Sequence, residues 1–295
     1  MKPEEIPQIG HGLVPHGEDA RDLRFGAIYQ LPALSEFSSV PSFYTCLPLA
    51  IKNQKITDRC TAYAGTAVSE DQEAVELSPE YQFMKGKLIQ GTQEDWGCDM
   101  RSMALSFVKY GSLPQKLSPF DVDTLRSTVI DPSMWDKELD SIAEKYKKDS
   151  FMFVVGPYDI FDNIRATMWK SHTLDIKESI FTGTIWQAEW TQSPDGVITS
   201  AGTPVGGHAL KIFGWTAKHG EPMLVAQLSN GLNIGDGGLF YFNREVVNKL
   251  FTFGSITFTD MPRADAAFYQ KVGMKDDDSL WKKVWKQIIH LIKNI

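Results

Sequence analysis

The sequence NQKITDRCTAYA (residues 53–64) joins a polar turn to the start of an Ala-rich helix. Cys60 lies at the predicted first turn of that helix, where the helix dipole and free backbone N–H groups favour a thiolate. Gln54 lies just upstream, and its amide together with the Cys60 backbone N–H can stabilise an oxyanion. Asp58 is a candidate cap for the helix. Cys60 is therefore a candidate nucleophile, although an isolated Cys at a helix start is more often a small buried hydrophobe.

A second signal comes from GGHALKIFGW (residues 206–215), which begins with two glycines and a histidine. The pattern predicts a strand with open space around the His208 ring. A lone His at a strand start is more often structural. A Cys at a helix start combined with a His about 150 residues downstream fits a nucleophile and a general base that meet only in the folded chain.

With these residues the chain resembles the papain-like (C1) cysteine peptidases, most closely their bacterial and phage branch. The pattern D-Q-G-x-x-G-S-C-T-A-x-A of that branch is similar to residues 53–64, with the same spacing from Gln to Cys. Residues 206–215 resemble the family's His motif. The family's run N-S-W-G-x-x-W-G-x-x-G-Y-F aligns without gaps on LSNGLNIGDGGLF (residues 228–240). The resemblance covers roughly residues 10–260 in order.

The resemblance implies an α+β fold of the papain-like type. A helical lobe packs against an antiparallel β-barrel-like lobe, and the active-site cleft lies between them. It also implies that Cys60 is the nucleophile, His208 the general base and later acid, and Gln54 the oxyanion donor of a cysteine endopeptidase. The substrate is then a peptide or protein, and the reaction needs neither a metal nor another cofactor.

The third catalytic position departs from the family pattern. The ungapped alignment places Leu228 where the family has an Asn that orients the catalytic His. A leucine side chain cannot accept a hydrogen bond from the His208 ring. The neighbours that can substitute if the strand shifts are Gln227, Ser229 and Asn230, but the aligned glycines argue against a shift. In a serine triad a wrongly oriented His costs up to about 10⁴ in rate, and a Cys–His pair depends less on its third member.

The departure at Leu228 leaves two hypotheses open. The first is a working cysteine endopeptidase that retains Gln54, Cys60 and His208. The second is a catalytically impaired papain-like protein that acts as a binding or structural component, for example of a phage particle.

Composition divides the chain into four predicted parts. Residues 1–45 are rich in Gly, Pro and Ser and predict an extended N-terminal arm. Residues 46–150 are predicted to form the helical lobe, with the helix that begins at Cys60. Residues 151–270 are predicted to form the β lobe, with the strand that carries His208. Residues 271–295 predict a linker and a basic amphipathic C-terminal helix.

Composition also narrows the classes of partner and location. The 295 residues carry a net charge of −7, which argues against nucleic acid as a partner. The N-terminus lacks the apolar stretch of a secretory signal, so we expect a cytoplasmic protein, or a virion-associated one if a phage encodes it. The six His are scattered and form no metal-binding pattern with Cys. By the resemblance, Cys98 stands at a family disulfide position whose usual partner is Thr57 here, so we expect a free thiol.

The segment SLWKKVWKQIIHLIKNI (residues 279–295) has apolar residues at helical spacing and lysines on the other face. This pattern predicts a helix that docks on the body or on a protein partner. A membrane surface is the alternative, because Trp and Ile opposite Lys also suit an interfacial helix.

Overall fold

The computed structural model describes residues 9–17, 19–20, 22–93 and 95–259. The predicted linker and C-terminal helix of residues 271–295 lie outside these ranges, as does the end of the predicted β lobe. Among the described residues, no helix is long and apolar enough to cross a bilayer.

Most helices belong to residues 60–146, and one long helix lies between strands later in the chain. Within the described ranges the helices are α1 (Phe25–Ile28), α2 (Leu34–Ser38), α3 (Cys60–Glu73), α4 (Pro79–Gln90), α5 (Met100–Tyr110), α6 (Arg126–Ile130), α7 (Glu138–Ala143), α8 (Ile160–Thr173) and α9 (Arg244–Leu250). Ser78 caps α4 by accepting a hydrogen bond from the Tyr81 backbone, with Pro79 in the first turn.

The strands concentrate in the second half of the chain. Within the described ranges they are β1 (Leu13–Val14), β2 (Ser42–Tyr44), β3 (Cys98–Asp99), β4 (Ser150–Phe153), β5 (Ile180–Gln187), β6 (Val197–Ile198), β7 (Pro204–Thr216), β8 (Met223–Gln227), β9 (Leu239–Phe242) and β10 (Ser255–Thr259). The predicted arm of residues 1–45 thus contains the short helices α1 and α2, and its strand β2 pairs with β7.

The main sheet has the strand order β4-β10-β5-β7-β8-β9-β6, with β2 also on β7. All pairs are antiparallel except β6 with β9. In the described part of the chain the sheet stays open, so the expected barrel-like lobe is a curved mixed sheet without barrel closure. The strand β7 runs through the centre of this sheet and carries His208, which pairs with Thr184 of β5.

The helix α3 packs directly on β7. Its Ala-rich face allows a close approach, and Cys60 and Ala62 share a core cluster with Ala209 of the strand. At the far end of the helix, Lys211 Nζ lies 2.5 Å from Asp71 Oδ1, and both side chains are 1% exposed. This buried ion pair joins the nucleophile helix to the His strand.

Candidate active site

Cys60 is the first residue of α3, and its side chain is fully buried. The backbone groups of Ala209 on β7 and Gly12 in the arm act on the thiol to lower its pKa. The expectation that Asp58 caps the helix is wrong, because Arg59 holds the cap position and no side chain caps it. The Asp58 carboxylate instead accepts hydrogen bonds from the Gly97 backbone (2.8 Å) and from Arg126 (2.7 Å).

The His208 ring is fully buried beside the edge of Trp186, with ring centroids 5.3 Å apart. Its Nδ1 lies 3.2 Å from the carbonyl oxygen of Gly10. Because a carbonyl only accepts, Nδ1 carries the proton and the ring is neutral with a bare Nε2. That Nε2 is buried and has no hydrogen-bond partner among the described residues.

Gln54 has both ends of its amide held. Its Nε2 donates to the carbonyl oxygens of Gly10 (3.1 Å) and Thr57 (2.9 Å), and its Oε1 accepts from Ser229 Oγ at 2.5 Å. The Gln54 backbone also donates to the Ser229 carbonyl (2.7 Å). The Gln54 amide and the His208 ring therefore meet at one carbonyl oxygen, that of Gly10.

Four residues were considered for the third catalytic position, and three of them pack or form hydrogen bonds away from His208. Leu228 is 1% exposed and packs in the apolar core. Ser229 holds the Gln54 amide, and the Gln227 amide donates to the Ala50 carbonyl at 2.8 Å. Both amide atoms of Asn230 are buried and have no hydrogen-bond partner among the described residues.

A segment of the N-terminal arm, residues 10–13, occupies the space in front of these residues. Besides the Gly10 carbonyl, the His11 carbonyl accepts from the Trp96 indole (2.5 Å) and the Gly12 carbonyl from the Cys98 backbone (2.8 Å). The next two residues pair with β3 in parallel. The arm therefore lies in the cleft as an extended peptide whose successive carbonyls are hydrogen-bonded.

The cleft holds this peptide so closely that two of its positions admit only glycine. A Cβ added at Gly10 would lie 2.0 Å from the Thr57 carbonyl oxygen, and one added at Gly12 would lie 1.9 Å from that of Asp58. Neither distance is compatible with a side chain unless the backbone moves. Contact with residues 57–58 is thus possible only because the arm has glycines there.

Leu13 follows these glycines and fills an apolar pocket in the core cluster that also contains Cys60. The pocket exists because two wall residues lack side chains: a Cβ at Gly183 would lie 2.2 Å from Leu13 Cδ2, and one at Gly207 would lie 2.3 Å from the Leu13 carbonyl. Phe253 and Met100 complete the wall near Gly183.

Burial sets the charge state of Cys60 and His208. Desolvation raises the pKa of the Cys60 thiol to about 11. The backbone groups of Ala209 and Gly12 act to lower this pKa but have the smaller effect. Desolvation lowers the pKa of His208 to about 3, and the neighbouring His11, with ring centroids 5.9 Å apart, acts in the same direction. At neutral pH the pair is therefore an uncharged thiol and an uncharged imidazole.

Other features of the site bear on the sequence predictions. All three cysteines are free, as expected for Cys98. Among the residues that the structure describes, no group of three or more His, Cys, Asp or Glu side chains could hold a metal ion. The sequence analysis predicted an N-terminal arm over residues 1–45 but not that residues 10–13 lie against the candidate site, and it missed Trp96.

No protein-family model matches the sequence, and no curated protein matches it. Several solved structures match the fold of the chain. Xylellain, a cysteine protease from Xylella fastidiosa, is 18% identical with a TM-score of 0.67, and the match covers 86% of this chain and 97% of that one. Procathepsin L 3 from Tenebrio molitor larval midgut is 13% identical with a TM-score of 0.62, covering 87% and 78%.

The bromelain protease from Ananas comosus, 16% identical with a TM-score of 0.56, matches over 75% of this chain and 99% of its own. These neighbours come from a bacterium, an insect and a plant, so the bacterial and phage branch stays a prediction. At such identities the likeness concerns the fold. The chain has the papain-like fold of cysteine proteases.

Proposed function

We propose that the chain is a cysteine peptidase held in a latent form by its own N-terminal arm. The observation that carries this proposal is the arm itself: the cleft beside Cys60 already binds an extended peptide, and its Gly10 carbonyl oxygen contacts both the Gln54 amide and His208 Nδ1. A substrate that replaced the arm would meet the same groups.

The chemistry requires that the arm leaves. With the arm in place the pair is uncharged, and a thiol is a poor nucleophile compared with a thiolate. Once the arm leaves, Nδ1 loses its carbonyl partner and the ring proton moves to Nε2. When a substrate enters, the bare Nδ1 takes the Cys60 proton and the sulfur attacks the scissile carbonyl carbon. The Gln54 amide and the Cys60 backbone N–H stabilise the oxyanion. The imidazolium then protonates the leaving amine, and water hydrolyses the thioester.

The pocket that holds Leu13 indicates the substrate side chain. Its walls are apolar, and its depth depends on the missing side chain of Gly183, while Gly207 lets the Leu13 backbone approach. We propose that the enzyme takes extended peptides with a Leu-sized apolar side chain at this place. A Gly183→Ala substitution would fill the pocket and reduce hydrolysis of such peptides more than of peptides with Ala there.

Thiol labelling tests the proposal. A substoichiometric epoxysuccinyl inhibitor at pH 6–7, mapped by mass spectrometry, is expected to modify Cys60 in a Gly12→Ala variant, in preference to Cys46 and Cys98. A His208→Ala substitution in that variant should abolish the preference. Unselective labelling that ignores His208 would mean that the pair is inactive.

The second candidate is a catalytically impaired papain-like protein that binds a partner, and Leu228 favours it. Its core position leaves no hydrogen-bonding group at the place where the family has its Asn. This candidate predicts selective binding without turnover. The proposals for residues 279–295, a protein partner or a membrane surface, rest on the sequence alone.

A further inference from the structure

A catalytic imidazole needs a group that holds the nitrogen facing away from the nucleophile. In this chain His208 Nδ1 faces the arm carbonyl, so Nε2 is the nitrogen to be held. Leu228 cannot do this, and the Ser229 hydroxyl and Gln227 amide bond to Gln54 and Ala50. The holding group must come from another side chain.

Asn230 has a side-chain amide that could hold this nitrogen. Its amide nitrogen and oxygen are both buried, and neither has a hydrogen-bond partner in the described part of the chain. Buried side-chain amides without partners are rare, and so are buried bare imidazole nitrogens. The chain also brings the two residues into one region: Asn230 bridges to Asn53, and the next residue, Gln54, meets His208 at the Gly10 carbonyl. The Asn230 amide also acts to raise the pKa of the His208 ring.

The backbone around Asn230 is fixed, so its side chain is presented from a rigid position. Asn230 forms an antiparallel bridge with Asn53, and Gly231 N donates to the Lys52 carbonyl at 3.1 Å. On the other side, the Ser229 carbonyl accepts from the Gln54 backbone at 2.7 Å. Asn230 is therefore tied to the strand segment that also carries the oxyanion donor.

We infer that Asn230 is the positioning residue of His208, in place of the Asn that the family has at the position of Leu228. This inference rests on the proposed peptidase function. While the arm is bound, the Asn230 amide nitrogen is the donor suited to the bare Nε2. When Nε2 carries a proton, as it does in the imidazolium, a rotated Asn230 amide accepts a hydrogen bond from that N–H through Oδ1.

The test compares alkylation rates of Cys60 by iodoacetamide from pH 5 to 7, in the full chain carrying Gly12→Ala. Asn230→Ala removes the amide, whereas Asn230→Asp keeps an acceptor of the same shape. Asn233→Ala is the matched control, because Asn233 is exposed in the same loop. Circular dichroism and thermal unfolding check that each variant folds.

We expect Asn230→Ala to slow alkylation at pH 6 by about tenfold or more, less than the roughly 10⁴-fold loss of a misoriented His in a serine triad. Asn230→Asp should retain the rate or raise it, since a carboxylate favours the imidazolium and hence the thiolate. Asn233→Ala should change nothing.

Two results would overturn the inference alone: alkylation that depends on His208 but is equal in Asn230→Ala and Asn233→Ala, or equal losses in the Ala and Asp variants, which indicate a structural role. If His208→Ala also has no effect, the peptidase proposal fails together with this one.

Discussion

At the residue scale, Gln54 has two opposite roles in this account. Its amide holds the arm by donating to the Gly10 carbonyl, and in the proposed mechanism the same donor stabilises the oxyanion during hydrolysis. The Ser229 hydroxyl fixes the amide orientation from the other side. A change at Gln54 should therefore loosen the latent form and damage the active one.

We predict opposite effects of Gln54→Ala on two measurements. In the otherwise natural chain it should speed the labelling of Cys60, because the arm loses a hydrogen bond. In the Gly12→Ala background it should lower kcat for peptide hydrolysis by about 10²–10³-fold, the usual loss for one oxyanion donor. Parallel changes in the two measurements would contradict the dual role.

The residue scale also shows what the sequence could predict. The pattern around Cys60 predicted a helix that begins at this residue, and Gly-Gly-His predicted a strand; α3 and β7 have these features. The catalytic roles of Gln54, Cys60 and His208 stay predictions. The environment of Asn230 could not be predicted, because ungapped alignment assigns it to a family Trp and only the folded chain places its amide beside His208.

At the element scale, the sequence predicts the arm but not where the arm lies on the body. A Gly-rich stretch has no hydrophobic periodicity from which its packing could be predicted. The position of the arm depends on its close contacts with residues 57–58, which exist only in the folded chain. The arm also covers an apolar pocket through Leu13, which is 6% exposed. The arm packs closely against the body at Gly10 and Gly12, but at Gly17 an added Cβ would meet nothing within 4 Å.

This contrast gives a matched pair of substitutions. Gly12→Ala should expel the arm and raise the labelling rate of Cys60 strongly, because its Cβ would lie 1.9 Å from the Asp58 carbonyl oxygen. Gly17→Ala, in the same arm, should leave the rate unchanged. Equal rates for both variants and the natural chain would mean that the arm does not control access to Cys60.

The contact between α3 and β7 contains the buried Lys211–Asp71 pair. Removing one partner of a buried pair typically costs about 3–5 kcal/mol, because the other charge is left buried. Lys211→Met should therefore lower the free energy of unfolding by about that amount in urea titrations.

Lys55→Met is the control for this prediction. The Lys55–Asp123 pair is exposed, and such pairs contribute about 0–1 kcal/mol. Similar losses in the two variants would refute the assignment of the buried pair as the tie between helix and strand.

At the scale of the whole molecule, the fold class was readable because helical patterns precede strand patterns along the chain. What the sequence could not define was sheet closure: β6 pairs with β9 in parallel at one edge, and the sheet stays open in the described ranges. Nor could it show that the arm, β2 included, joins the folded body.

Arm release should depend on pH, since burial lowers the pKa of His208 to about 3 and also lowers that of His11. In the released state both rings are less buried, so their pKa values rise from the lowered values and the rings bind protons more readily. Below about pH 6.5 the released state therefore binds more protons than the latent one, and falling pH favours release.

Amide hydrogen exchange of the arm, corrected for intrinsic rates, should accordingly show more frequent opening at pH 5 than at pH 7.5. The groups that lie against His208 or act on its charge are His11, the Gly10 carbonyl, the Trp186 ring and the Asn230 amide. His11→Ala should weaken the pH dependence. Opening that is constant across this range would contradict the assignment of buried neutral rings.

The central claim is that releasing the arm produces a working peptidase. The most direct measurement is digestion of an unfolded protein substrate by the natural chain, Gly12→Ala and Gly12→Ala/Cys60→Ala, with the new peptide ends identified by mass spectrometry. We predict cleavage by Gly12→Ala well above that of the natural chain, and none without Cys60. If Gly12→Ala exposes Cys60 to labelling but cleaves nothing, the chain is an impaired papain-like binding protein and the claim is wrong.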